Sequence, residues 1–195
     1  MGAGDPNPES CALFLVAAFI LAGLCQSAWL GSPVARRLAI PLDAGLAWRG
    51  RRVFGDNKTV RGFAVMVPAT ALSFAALAAL AQAAAWPTGL WPLSPAQYLA
   101  AGFWAGLGFM LGELPNSFVK RQLDIAPGSA PGGRVAAAVC FIIDRLDSVV
   151  GMLVVLGLVV TLPWRLWVYV LVAGPALHGA FSVLVYRLGG KARAA

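Results

Sequence analysis

Charged residues are scarce in this chain. Asp, Glu, Lys and Arg make up 12% of its 195 residues, about half the ~25% usual for a soluble domain. So few charges cannot coat a water-soluble surface, which excludes a soluble globular fold. Histidine is nearly absent: His178 is the only one, and it lies inside an apolar run, where packing or a hydrogen bond accounts for it. There is no GxSxG nucleophile elbow, no HExxH zinc helix and no Walker loop, which sets aside the hydrolases and NTPases built on those motifs. Cys11, Cys25 and Cys140 show neither metal-ligand nor disulfide spacing and read as small core residues. No internal repeat or low-complexity linker divides the chain. Ahead of the first apolar run stand Asp5 and Glu9 but no basic residue, which argues for a retained span rather than a cleaved secretory signal.

What the chain has instead is apolar length. Hydrophobic residues are 59% of it, and several runs reach the roughly 20 residues that cross a hydrocarbon core. The expected fold is all-α, a polytopic membrane protein forming one integral membrane domain over 1–195. Spans are predicted at about 11–30, 62–86, 97–119, 147–162 and 164–186, separated by loops that include 31–61 and 120–146. Trp86, Trp91, Trp164, Trp167 and Tyr186 fall near span ends, as an aromatic belt does. The stretch Val135–Ile143 is apolar but too short to span; it either extends the fourth span or lies re-entrant at the interface, and the extension is preferred. Gly102, Gly106, Gly108 and Gly112 give the third span small-xxx-small pairs that permit close helix contact.

The net charge of +7 would point to nucleic acid in a soluble protein. Here the basic residues collect in 31–61 (Arg36, Arg37, Arg49, Arg51, Arg52, Lys58, Arg61), in 120–146 (Lys120, Arg121, Arg134, Arg145) and in the tail (Arg187, Lys191, Arg193), leaving Arg165 alone elsewhere. With an odd number of spans these segments share one side, and the positive-inside rule makes that side cytoplasmic. The expected orientation is N-out, C-in, in a plasma membrane, with no nucleic-acid partner.

Three polar clusters converge on that side. The first is Gly55-Asp56-Asn57-Lys58-Thr59-Val60-Arg61-Gly62, at the entrance to the second span, where backbone N–H groups and the helix dipole favour an anion; a capped, positive-inside loop is its bland reading. The second closes the third span: Glu113, Ser117 and Lys120 follow i, i+4, i+7 on one helix face, next to Pro115 and Arg121. Lys120-Arg121 alone would serve topology, but Glu113 lies about two turns inside the predicted membrane. The third is Asp144-Arg145-Leu146-Asp147. Two carboxylates three apart share a helix face about 5–6 Å apart at Cβ, and a charge near bilayer depth costs roughly 2.5–3.5 kcal/mol. Hard carboxylate oxygens suit Mg²⁺, the alternative being charge pairs with Arg145 or Lys120. Three acids among lysines and arginines are the apparatus of phosphoryl or nucleotidyl transfer, which needs no covalent nucleophile.

The ordered set Gly55-Asp56-Asn57-Lys58-Thr59…Arg61-Gly62, Ser117-Phe118-Val119-Lys120-Arg121 and Asp144-Arg145-Leu146-Asp147-Ser148 resembles the CDP-archaeol synthase family, within the wider CTP-dependent cytidylyltransferases that include phosphatidate cytidylyltransferase. The resemblance covers about 11–187. It implies transfer of CMP from CTP to a membrane lipid phosphate, releasing pyrophosphate. By that resemblance Asp144 and Asp147, with Glu113, hold Mg²⁺. Lys58, Lys120 and Arg121 act on the triphosphate, and Asp56, Asn57, Thr59, Arg61 and Ser117 bind nucleotide or phosphate. Asn57 and Arg145 depart from the archaeal pattern, so an ether-linked and a diacyl acceptor both stay open, as does a homo-oligomer. The rival activities are a CTP-dependent lipid alcohol kinase and a small transporter or scaffold; charges confined to one mouth and the lack of a repeat disfavour transport.

Overall fold

The computed structural model describes residues 5–84 and 89–187. Trp86, Lys191 and Arg193, and the side chain of His178, lie outside the described residues.

Helix α1, Pro8–Leu30, starts where the Asn7 side chain accepts the Ser10 N–H at 2.8 Å, with Pro8 at the first helical position. Ser32 then caps the short α2, Pro33–Arg37. A two-residue hairpin follows, β1 (Ala47–Trp48) against β2 (Arg51–Arg52). Its turn residues Arg49 and Gly50 both have positive φ, 52° and 76°, the signature of a tight hairpin turn. This hairpin and an isolated antiparallel bridge between Pro41 and Thr59 depart from the expected all-α chain. Helix α3 runs Val60–Ala83, α4 Pro95–Gln122, α5 Arg134–Gly157 and α6 Trp164–Arg187.

The fifth helix corrects a boundary. Residues 135–143 are the opening turns of α5, so the preceding loop shrinks to 123–133. The segment contains no glycine or proline to stop a helix, and its alanines favour one. Among the described residues, three helical stretches are long and apolar enough to cross a membrane: Pro8–Leu30, Val60–Ala83 and Trp164–Leu184. Helices α4 and α5 match them in length but carry the glycines and charges of the candidate site. This is a mostly helical membrane protein.

Helix α4 is central, packed against α3 on one side and α5 on the other. Its four glycines divide between these neighbours. A Cβ on Gly102 would lie 2.8 Å from the Ala71 Cα, and one on Gly106 3.0 Å from the Val67 Cα, so these two admit α3. A Cβ on Gly108 would lie 2.6 Å from the Gly151 carbonyl oxygen, and one on Gly112 would overlap the Asp147 carbonyl, so the other two admit α5. At the end remote from the candidate site, Phe14 packs edge-on against Phe74 at 5.1 Å and near Tyr98 at 5.5 Å. Cys11 is fully buried there, as expected of a core cysteine. Cys25 is exposed and Cys140 half-buried, because they fall on outward faces of α1 and α5 that lipid rather than protein would cover.

Candidate active site

Three chain segments meet where α3 begins, α4 ends and the middle of α5 passes. Lys58, the last residue but one before α3, donates to Glu113 Oε2 on α4. The Ser148 hydroxyl on α5 donates to Glu113 Oε1 at 2.8 Å and lies 3.3 Å from Asp147 Oδ1, which also accepts the Ser148 N–H at 2.6 Å. Asn116 Nδ2 donates to both aspartates, to Asp144 Oδ1 at 2.6 Å and Asp147 Oδ2 at 2.8 Å. Lys120 closes the chain of contacts with an ion pair to Asp144. Three carboxylates and two ammonium groups thus form one connected network across α3, α4 and α5.

The geometry follows from helix periodicity. Glu113, Asn116 and Lys120 are spaced i, i+3, i+7 on α4, and Asp144, Asp147 and Ser148 are spaced i, i+3, i+4 on α5, so each set shares a face. The glycine crossing one turn away brings those faces together. Burial alone would push the Lys58 ammonium pKa down, but Glu113, with Asp147 and Asp144 beyond it, holds it above the ordinary lysine value. Arg145 turns away from the network: its guanidinium sits 3.2 Å from the centre of the Phe141 ring and donates to the Phe141 carbonyl at 3.2 Å. Of the two alternative charge pairings, that with Lys120 forms and that with Arg145 does not.

The other expected residues are spread around this centre. Arg121 packs beside Gly55 and Pro127, and its Nε and Nη1 are buried with no hydrogen-bond partner among the described residues. Asp56 is exposed and pairs with Arg52 at 3.1 Å. Asn57 is exposed and Arg61 half-buried, while Thr59 and Ser117 are buried. Thr59 occupies the N-cap position of α3 without a side-chain capping bond. From the first cluster only Lys58 enters the network.

Three residues went unselected in the sequence. Asn116 stands between Glu113 and Ser117, and Ser148 follows Asp147; the signal was there, since each lies within a turn of an acid on the face that acid uses. Asp43 had no such signal. Its side chain is wholly buried, accepting from Arg52 Nη2 at 2.5 Å and from the N–H groups of Phe54 and Gly55 at 2.9 Å each. The Arg52 guanidinium, and after it these N–H donors, hold its carboxyl well below the usual range despite burial.

Comparison with known proteins fixes the family. Residues 13–193 match the CarS-like CDP-archaeol synthase family. The chain belongs to that family. It is 34% identical over 159 residues to the CDP-archaeol synthase of Methanospirillum hungatei, covering 78% of this chain and 87% of that one. It is 32% identical over 163 residues to that of Pyrococcus furiosus, covering 82% and 86%, and 36% identical over 157 residues to that of Halobacterium salinarum, covering 77% and 81%. A solved structure described as an intramembrane enzyme for archaeal membrane lipids biosynthesis superposes with a TM-score of 0.61 at 28% identity, covering 90% of this chain and 94% of that one. The chain is a CTP-dependent lipid cytidylyltransferase: CMP passes from CTP to a lipid phosphate and leaves it as a CDP-lipid.

Proposed function

We propose that the Lys58–Glu113–Ser148–Asp147–Asn116–Asp144–Lys120 network is the cytidylyl-transfer centre. In this reading it faces the cytoplasm of a plasma-membrane protein whose α1, α3, α4, α5 and α6 all span, N-out and C-in, as one domain. The observation that carries it is the connectivity of that network. Acids and cations kept at such depth are costly unless they serve a charged substrate.

The donor set fits a divalent cation. Asp144 Oδ1 and Asp147 Oδ2 converge on a single nitrogen, Asn116 Nδ2, so both oxygens can address one point. Mg²⁺ usually takes one or two carboxylates and leaves its other positions to water and phosphate. In this reading Asp144 and Asp147 are the ligands, with Glu113 beside them, its carboxylate accepting from Lys58 and from Ser148. A divalent cation held there would neutralise triphosphate charge.

The remaining steps fall to the chain itself and to its substrates. Lys58, Lys120 and Arg121 receive the triphosphate, the buried, unpartnered Nε and Nη1 of Arg121 being suited to a phosphate oxygen. Asn57 and Arg61 remain accessible for nucleotide contact, Asp56 braces Arg52, and Thr59 and Ser117 shape the wall. A lipid-phosphate oxygen attacks the α-phosphorus of CTP; that P–O bond forms as the bond to the bridging oxygen of the β-phosphate breaks, and pyrophosphate leaves. The attacking oxygen is already anionic, so no general base is required. The lipid chains have an apolar groove of about 450 Å³ between α3 and α4, lined by Pro68, Leu72, Leu99 and Phe103. In this reading the acceptor is an ether-linked lipid phosphate, which the relatives' name, CDP-archaeol synthase, supports.

Protein incubated with Mg²⁺, α-labelled CTP and a lipid phosphate should yield labelled CDP-lipid, more from an ether-linked acceptor than from a diacyl one. Equal or better use of the diacyl lipid would overturn the acceptor assignment. Label found only in free CMP would overturn cytidylyl transfer at this centre.

A further inference from the structure

We infer that Asp43, acting through Arg52 and the β1–β2 hairpin, is a positioning residue for the nucleotide. It sets the spacing between Lys58 and the Lys120–Arg121 end of α4, the two cationic segments that receive the triphosphate. The inference rests on that triphosphate reading and extends it to a residue that touches neither substrate.

Both oxygens of Asp43 are committed to protein donors. Oδ1 accepts from Arg52 Nη2 at 2.5 Å and from the Gly45 N–H at 3.2 Å; Oδ2 accepts from Arg52 Nε at 3.2 Å and from the N–H groups of Phe54 and Gly55 at 2.9 Å each. A carboxylate so engaged has no capacity left for a metal or a nucleotide, which makes it an organiser. What it organises is specific. The next residue back, Leu42, donates its N–H to the Lys58 carbonyl at 2.8 Å, and the Val60 N–H donates to the Ile40 carbonyl at 2.9 Å. Lys58 is thereby tied to the segment that ends at Asp43.

The second cationic segment is tied to the same hub. Gly55, whose N–H Asp43 holds, forms the wall beside the Arg121 side chain: a Cβ there would lie 3.4 Å from Arg121 Cδ and 3.1 Å from Pro127 Cγ. Gly55 has φ of +80°, a conformation that favours glycine. From the hairpin, Arg51 donates to the Gln122 carbonyl at the end of α4 and pairs with Asp124 at 2.5 Å. Neighbouring residues of one strand, Arg51 and Arg52, thus grip the end of α4 and Asp43 respectively. The hairpin clasps together two segments that have no covalent reason to stay in register.

The test is CTP binding to purified full-length protein with Mg²⁺ and no acceptor lipid, set beside steady-state kinetics. Asp43→Asn keeps the shape but replaces one acceptor with a donor facing donors. It should raise the CTP Kd and KM by about tenfold or more, with kcat at saturating CTP within about threefold, as expected for misplacement rather than lost chemistry. Arg51→Ala, partly exposed and leaving Asp43 satisfied, should raise KM by a smaller factor; it carries the test if Asp43→Asn does not fold. Arg52→Lys, which keeps the charge but not the two-pronged grip, should fall between them. Unchanged KM in folded Asp43→Asn and Arg51→Ala, or a fall in kcat at constant KM, would overturn the inference. Lys58→Ala and Arg121→Ala are measured alongside: if they bind CTP as wild type does, the triphosphate reading itself fails. If they lose affinity while Asp43→Asn retains it, only the positioning role fails.

Discussion

At the end of the bundle around Trp91, the closing contacts are almost all between neutral groups. Trp91 Nε1 donates to the Thr161 carbonyl at 2.8 Å, Tyr98 donates its hydroxyl to the Trp91 carbonyl at 2.7 Å, and Ser94 and Gln97 form a capping box at the start of α4. Among the described residues the charged groups at this end include Glu9, which accepts the Tyr169 hydroxyl at 2.9 Å, and Arg165, whose guanidinium lies 5.7 Å from the centre of the Trp164 ring. At the opposite end the same helices are joined by Lys58–Glu113 and Lys120–Asp144, and the loops by Arg51–Asp124 and Arg52–Asp43. Neutral bonds are enough to hold helix ends together, and they avoid the cost of desolvating ions. The ion pairs are concentrated where a polyanionic substrate has to be received. The contrast separates contacts that hold the bundle from contacts that also serve chemistry.

That separation can be broken in stages. The largest effect is expected from Asp147→Asn, which should cut CDP-lipid formation at least about a hundredfold, the scale of losing one contact made to developing charge. Its melting temperature in detergent should stay near wild type; retained turnover would remove Asp147 from the centre. Lys58→Ala should follow, losing turnover by about tenfold to a hundredfold in the same labelled-CTP assay. Gly112→Leu tests the spacing rather than the charges: its side chain would have to displace the Asp147 backbone, so a lower melting temperature and lost turnover should appear together. Trp91→Phe removes a neutral bond at the far end and should cost about 1 kcal/mol of stability while leaving the rate within twofold. A large rate loss there would erase the distinction between the two ends.

The smallest expected effect is that of pH on the Asp43 hub. Its carboxyl is held low by Arg52, which also faces Asp56. The stabilisation it gives is therefore complete above the ordinary aspartate range and is lost only as pH falls through the depressed value. Lys58 has the opposite sign: held high, it stays charged below the ordinary lysine range and loses its contribution only as pH rises through the raised value. CTP affinity measured from pH 5.5 to 9 should therefore change in parallel for wild type and Asp43→Asn. A step in the wild-type curve that is absent from the variant would contradict this.

The long apolar helices were legible because lipid imposes a length, and the family was legible from the order of Lys58, Lys120–Arg121 and Asp144–Asp147 along the chain. The charged positions could be read because an acid in an apolar helix has few explanations. Asn116 and Ser148 were harder, since a neutral polar residue in a span costs little and raises no alarm. Asp43 was not legible at all. Its meaning depends on Phe54, Gly55 and Arg52 folding back onto it, and a loop's path is not set by any periodicity. The start of α5 was ambiguous because an apolar stretch of that length carries no mark distinguishing a helix extension from an interfacial piece.

The crossing of Gly108 and Gly112 with Gly151 has a further consequence. Where side chains separate two helices, the gap breathes with every rotamer change. Here main chain touches main chain, with the Val155 side chain packed beside Gly108. The crossing works as a gauge block, setting the distance from Asn116 to the two aspartates largely by backbone thickness. Substitutions elsewhere in the bundle can soften the protein without altering that measurement.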